Sequence, residues 1–199
     1  MKRGSKKQKA YKVYLFRHGQ TKYNQNGMFT GWDNASLTKA GKRDAKIVAE
    51  RLKDKKFQVA FQTRLSRSKD TLNIVLKSHP ECKKIIKDDR MIERNYGKFN
   101  GFLHTTIVKK FSPKKYDAWH RGWDTRPPGG ESFADVGKRV KPFIEDLKKF
   151  IKKNKVNVAI SAHGNSIRLF RKIIEKKSEK EAVSWCIPYD NYYEYSVKI

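Results

Sequence analysis

Two β-prone runs, Tyr11–Phe16 and Val156–Ser161, each lead into a histidine–glycine pair, Arg17-His18-Gly19 and His163-Gly164-Asn165. Both histidines thus stand where a strand gives way to a turn and then to a helix. Strands that alternate with helices pair mainly in parallel, and the helices cover both faces of the sheet. Ligands of such sheets bind outside the carboxyl ends of the strands, near the point where strand order reverses. Two histidines from opposite ends of the chain are thereby directed to one edge of one sheet.

The intervening segments agree with that architecture. Thr38 opens a helix on which Leu37, Ala45, Val48 and Leu52 share a face. Phe57–Phe61 reads as a second strand, and a helix from about Leu65 to Lys77 follows, carrying Leu65, Leu72, Val75 and Leu76. Lys84–Lys87 reads as a short third strand. The clearest helical period comes later, where Phe133, Val136, Val140, Phe143, Leu147 and Ile151 recur at three- and four-residue steps. Pro142 falls inside it and is expected to kink or divide the helix. A helix with Ile167, Phe170 and Ile174 and a last strand around Tyr192–Val197 complete the pattern. Between about residues 94 and 130 no period is visible, and Pro113 and Pro127-Pro128-Gly129-Gly130 punctuate the stretch, so an irregular lid or substrate loop is expected there. A length of 199 residues suits one domain, expected over 11–199 behind a disordered basic tail at 1–10, with no internal repeat.

Charge narrows the partner. The chain carries 47 Lys+Arg against 20 Asp+Glu, a formal +27, and a field of that sign concentrates anions. The lysines are spread along the whole length without a zinc-finger or RNA-recognition signature. A solvated basic surface accounts for them, with weak, salt-sensitive, non-specific adhesion to nucleic acid as a side effect. Cys82 and Cys186 stand alone, which argues against a disulfide scaffold and a structural zinc site. No apolar run approaches the roughly 18 residues of a membrane span, and the basic start lacks the apolar stretch of a signal peptide. A soluble cytoplasmic protein with no membrane partner is expected.

Two imidazoles and two guanidiniums, from His18, His163, Arg17 and Arg67, at one sheet edge suit a phosphoryl group. Its transfer needs a nucleophile, positioning, and stabilisation of charge on the equatorial oxygens. A neutral imidazole nitrogen can attack phosphorus and carry the group covalently, and arginine offers two-point hydrogen bonding to its oxygens. The reaction also needs an acid for the leaving oxygen. Glu93, just before the turn-like Asn95-Tyr96-Gly97, is the candidate, although its local sequence taken alone favours a surface carboxylate paired with Arg90 or Arg94.

Taken in order, VYLFRHGQTKYN, FTGWDNASLTKAG, TRLSRSKDT, IERNYGKFNG, PPGGES and SAHGNS resemble the cofactor-dependent phosphoglycerate mutases of the histidine phosphatase superfamily, over residues 11 to about 195. RHG alone marks the superfamily, whereas FTGW, ERNYG and AHGNS together are much more specific to the mutase branch. The resemblance implies a three-layer α/β/α sandwich with a mainly parallel central sheet and the site above it. It implies a phosphohistidine on His18, a phosphate pocket of Arg17, Asn24, Arg67 and His163, and Glu93 as proton donor and acceptor. Gly19, Gln20, Thr21, Thr30, Gly31, Arg94, Tyr96, Arg121, Gly164 and Asn165 match substrate-contacting positions. The family interconverts 3- and 2-phosphoglycerate in glycolysis and gluconeogenesis, is primed by 2,3-bisphosphoglycerate, needs no metal, and commonly forms dimers or tetramers; a homodimer is the corresponding expectation here.

Three departures bear on the activity. His104 stands where the family pattern has a lysine, with Lys98 nearby as a stand-in, and His120-Arg121 stands where it has two arginines, so one guanidinium of the substrate clamp is missing. The chain also ends just after its last strand, without the tail that helps cover the site in some members. Looser closure favours hydrolysis of a phosphohistidine. A phosphatase on the same scaffold is therefore the alternative to a mutase, and a basic nucleic-acid-binding protein on a degenerate phosphatase fold is the third.

Overall fold

A computed structural model describes residues 9–198. Five strands form one sheet: β1 (Ala10–Arg17), β2 (Val59–Gln62), β3 (Lys84–Lys87), β4 (Val158–Ala162) and β5 (Tyr192–Lys198). Their order is β3-β2-β4-β1-β5, with β5 antiparallel to β1 and the other neighbours parallel. Eight helices accompany them among the described residues: α1 (Lys22–Gln25), α2 (Lys39–Leu52), α3 (Ser66–Leu76), α4 (His104–Phe111), α5 (Pro113–Arg121), α6 (Phe133–Asn154), α7 (Gly164–Glu175) and α8 (Glu179–Ser184). Most of the expected tail, residues 1–8, lies outside the described residues, and Ala10 already begins β1.

The alternation of side chains along the strands divides the interior into two layers. Tyr14, Phe16, Ala60 and Ala159 face α2 and α3, packing with Val48, Leu52, Leu72 and Val75. Val13, Leu15, Phe61, Val158 and Ile160 face α6 and α7, packing with Val136, Val140, Phe143, Leu147, Ile167 and Phe170. The result is a three-layer α/β/α sandwich. Each such Leu, Ile or Phe, when fully buried, stabilises it by roughly 1.5–3 kcal/mol.

Two expectations are corrected. Pro142 does not divide α6, which runs unbroken from Phe133 to Asn154. Pro142 and Lys138, four residues earlier, are both exposed, so the carbonyl freed by the missing N–H lies on the solvated side while the apolar face stays continuous. The 94–130 stretch is not irregular, since it holds α4, α5 and a 3₁₀ turn at Gly97–Phe99. Pro113 is the first residue of α5, where its fixed φ and missing N–H suit a helix start. These elements gather a third apolar cluster, Phe29, Tyr96, Phe99 and Ile107 with Phe111, Tyr116 and Trp119, apart from the two sheet layers.

Candidate active site

Because β1 and β4 are parallel neighbours with Arg17 in register with Ala162, the residues that follow them lie side by side. The His18 N–H donates to the Ala162 carbonyl at 3.0 Å, and the His18 and His163 rings sit 5.0 Å apart. The exit from β1 passes so close to the start of α2 that a Cβ on Gly19 would lie 2.1 Å from the Gly41 carbonyl oxygen, and one on Gly41 would lie 2.0 Å from that of Gln20. Only glycine fits at either position, and the crossing fixes the turn that presents His18.

The hydrogen bonds set the form of the His18 ring. His18 Nδ1 lies 2.8 Å from the Gly19 carbonyl oxygen, which can only accept, so Nδ1 carries the hydrogen and Nε2 keeps a lone pair. That lone pair accepts from Arg67 Nε at 3.2 Å. His163 Nε2 lies 2.8 Å from Thr63 Oγ1, which accepts the Leu65 N–H and has its own proton free to donate. The other ring nitrogen of His163, Nδ1, is buried without a hydrogen-bond partner among the described residues. Burial, reinforced by Arg67 and Arg17, holds the pKa of His18 well below the usual imidazole value. Burial and Arg67, with His18, Arg139 and Arg17 adding to them, do the same for His163.

Those shifts make stability pH-dependent. Each ring is neutral when folded but titrates at its ordinary value, about 6.5, when unfolded. Below that pH the unfolded chain takes up more protons, so stability falls as pH drops, by up to about 1.4 kcal/mol per pH unit for each ring. The melting temperature is therefore expected to hold near pH 7.5 and to decline steadily from about pH 6.5 to 5. A flat profile over that range would show that the two rings are not held neutral.

Arg67 is buried and gives Nη1 to the Asp33 carbonyl and Nη2 to the Gly31 carbonyl, both at 2.7 Å. Burial pushes its pKa down to about 10, so it stays a cation at neutral pH. Glu93 is buried too, not paired at the surface. Its Oε1 accepts the backbone N–H groups of Arg94 at 2.7 Å and Asn165 at 3.1 Å, while Arg90 binds Asp88 and Asp146 instead. The segment carrying Glu93 is fastened from three sides. Arg139 donates to the carbonyls of Arg90, Ile92 and Glu93, Trp32 Nε1 donates to the Glu93 carbonyl, and Ser166 Oγ donates to the Met91 carbonyl.

A cavity of about 160 Å³ opens beside these groups. Arg17, Asn24, Thr30, Gly31, Glu93, Tyr96, His104, His120, Arg121, Gly164 and Asn165 line it, all of them expected from the sequence. His18, Arg67 and His163 are buried at its side rather than in its lining. Arg94 is also held back, stacked between the Tyr96 and Phe133 rings and donating to the Trp119 carbonyl. Gly19, Gln20 and Thr21 do not line the cavity. Gln20 binds Thr38 at the head of α2, and Thr21 caps α1 in a reciprocal pair with Asn24, which places Asn24 in the wall. His104 and His120 lie 5.2 Å apart, with Phe29 beside both. Burial, with Arg121 and His104 adding to it, pushes the pKa of His120 down to about 3, and His104 is lowered as well.

Met28, Phe29 and Arg168 also line the cavity and were not anticipated. Arg168 was masked by its place on an amphipathic helix; the one available signal was its spacing from Asn165, whose Oδ1 it meets at 2.7 Å. Ligand atoms of His18, Glu93 and His163 lie within 4.8 Å of one another, a spacing that would suit a metal. However, Nε2 of each ring is already engaged, and Arg67 and Arg17 place positive charge beside them. That environment favours an anion over a divalent cation.

Comparison with known proteins agrees with this geometry. Residues 13–196 match the model of the histidine phosphatase superfamily, branch 1. The 2,3-bisphosphoglycerate-dependent phosphoglycerate mutase of Mesorhizobium japonicum is 36% identical over 175 residues, covering 86% of this chain and 84% of that protein. The phosphoglycerate mutase of Schizosaccharomyces pombe is 36% identical over 161 residues, covering 78% and 75%. Among solved structures, phosphoglycerate mutase from Bacillus anthracis superposes with a TM-score of 0.71 at 24% identity, covering 85% of this chain and 82% of that one. The alpha-ribazole phosphatase from Shigella flexneri reaches 0.79 at 21%, covering 94% of each, so the fold alone is shared by mutases and phosphatases. This chain belongs to the histidine phosphatase superfamily and, within it, to the family of the 2,3-bisphosphoglycerate-dependent phosphoglycerate mutases.

Proposed function

We propose that this protein is a phosphoglycerate mutase that interconverts 3- and 2-phosphoglycerate through a phosphohistidine on His18, in cytoplasmic glycolysis and gluconeogenesis. The observation that carries the proposal is a neutral His18 whose Nε2 lone pair is caged by Arg67, with ligand atoms of Glu93 and His163 within 4.8 Å of it. Buried polar atoms without partners among the described residues, Arg17 Nε and Thr30 Oγ1 in the cavity wall and His163 Nδ1 beside it, fit a small polyanion such as 2,3-bisphosphoglycerate. When bound, that primer supplies the phosphoryl group that His18 carries.

The chain's own residues do the rest. A phosphoryl oxygen takes the Arg67 Nε–H, which frees the His18 lone pair for in-line attack. Arg17, Arg67 and His163, the last with its proton on the unpartnered Nδ1, meet the equatorial oxygens as charge builds there. Glu93 gives its proton to the departing oxygen and recovers one from the next hydroxyl. Thr30 and Arg121 hold the far end of the substrate, where His104 and His120 supply neutral donors in place of two cations.

The loss of those two cations is also what favours phosphatase activity as the second reading, since it weakens the hold on an intermediate that must reorient. A single assay separates the two. With 3-phosphoglycerate, 2-phosphoglycerate formation that depends on 2,3-bisphosphoglycerate and far outpaces release of inorganic phosphate is expected. Phosphate release without isomerisation would replace the mutase by a phosphatase, and neither product would leave only polyanion binding.

A further inference from the structure

The segment joining α8 to β5 makes contacts that the roles above do not use. Arg168 Nε and Nη2 donate to the Trp185 carbonyl at 2.9 and 2.6 Å. Arg17 Nη1 donates to the Ile187 carbonyl at 2.9 Å, and its guanidinium carbon stacks 4.0 Å from the centroid of the Tyr189 ring. Alternate residues 185, 187 and 189 therefore each hold a guanidinium of the cavity wall. The partners are carbonyls and a ring face rather than carboxylates, so Arg17 is oriented without being neutralised. The Tyr189 ring also stands 6.3 Å from the His18 ring. Burial raises the Tyr189 pKa despite Arg17, which keeps the phenol uncharged.

We propose that Tyr189 is a positioning residue that braces Arg17 for phosphoryl binding and screens His18 from water. It thereby sets how often a phosphoryl group on His18 is lost to hydrolysis. In that side reaction water oxygen bonds to phosphorus as the phosphorus–Nε2 bond breaks, Glu93 accepts the water proton, and inorganic phosphate leaves a neutral His18. The screening half rests on the phosphohistidine proposed above, whereas the bracing half does not.

The test uses the full chain with Tyr189→Phe, Tyr189→Leu and Tyr189→Ala. Inhibition by orthovanadate, a mimic of the phosphoryl group, reads the bracing of Arg17. The half-life of the phosphorylated protein in acceptor-free buffer reads the screening. Phe is expected to match the wild type in both. Leu keeps the site apolar but loses the ring face, and Leu and Ala are each expected to weaken vanadate about 3- to 30-fold, the range of a cation–π contact. Ala is also expected to shorten the half-life severalfold. Unchanged vanadate inhibition in a folded Leu variant would overturn the bracing, as would a Phe variant as weak as Ala, which would assign the effect to the hydroxyl. An unchanged half-life in Ala would overturn the screening. A wild type that never holds phosphate on His18 would refute the phosphohistidine itself, and the vanadate series would still decide the role of Tyr189.

Discussion

Replacing His18 with alanine is expected to lower phosphoryl transfer on the order of 10⁴- to 10⁶-fold, the loss typical of removing a nucleophile that acts as one unit with its partners. The fold should survive. The His18 N–H bond to Ala162 is a backbone contact, and Arg67 stays anchored on the carbonyls of Gly31 and Asp33. The remaining guanidiniums should still bind vanadate, so binding and chemistry come apart in this variant. Mass measurement after incubation with 2,3-bisphosphoglycerate should show an acid-labile phosphate on the wild type and none on the variant. Transfer within tenfold of wild type, or an adduct on another residue, would end the phosphohistidine mechanism.

Glu93→Gln is expected to cost roughly 10²- to 10⁴-fold in turnover, the usual contribution of a positioned acid–base group. The substitution is well isolated. Both backbone N–H groups that reach the carboxylate meet the same oxygen, Oε1, and a glutamine oxygen can replace it. The Glu93 carbonyl keeps its bonds from Arg139 and Trp32. Vanadate inhibition and melting temperature should therefore stay near the wild-type values while the rate falls. Turnover within about threefold of wild type would reduce Glu93 to a partner for the Asn165 N–H at the start of α7, since a carboxylate is stabilised at a helix N-terminus whether or not it exchanges protons.

How much of this was legible beforehand depended on the range of the information. The strand-end positions of His18 and His163 follow from local β-propensity and turn residues, and the buried face of α6 follows from its period. The lid helices did not show, because α4 and α5 are short and their aromatic side chains pack into a separate cluster instead of forming a stripe against the sheet. Glu93 stood beside two arginines in sequence, and local reasoning paired it with them. Arg90 and Arg94 instead find Asp88, Asp146 and aromatic faces, a choice made by tertiary packing. Gly19, Gln20 and Thr21 follow the His18 motif, yet they shape the turn and the helix starts rather than the cavity. Tyr189 carried no signal at all, because its contacts with Arg17 and His18 span almost the whole chain.

The strand order carries a consequence for biogenesis. β4 lies between β1 and β2, although it is the fourth strand to leave the ribosome. Until it inserts, both earlier strands offer unpaired edges, the kind of surface that recruits neighbouring chains. The long loop closures this topology requires make insertion slow. Over that interval the net charge of +27 sets partly folded copies repelling one another, whatever it does in the finished molecule. The two histidines meet only when β4 seats beside β1, so the site cannot assemble before that long-range pairing is made.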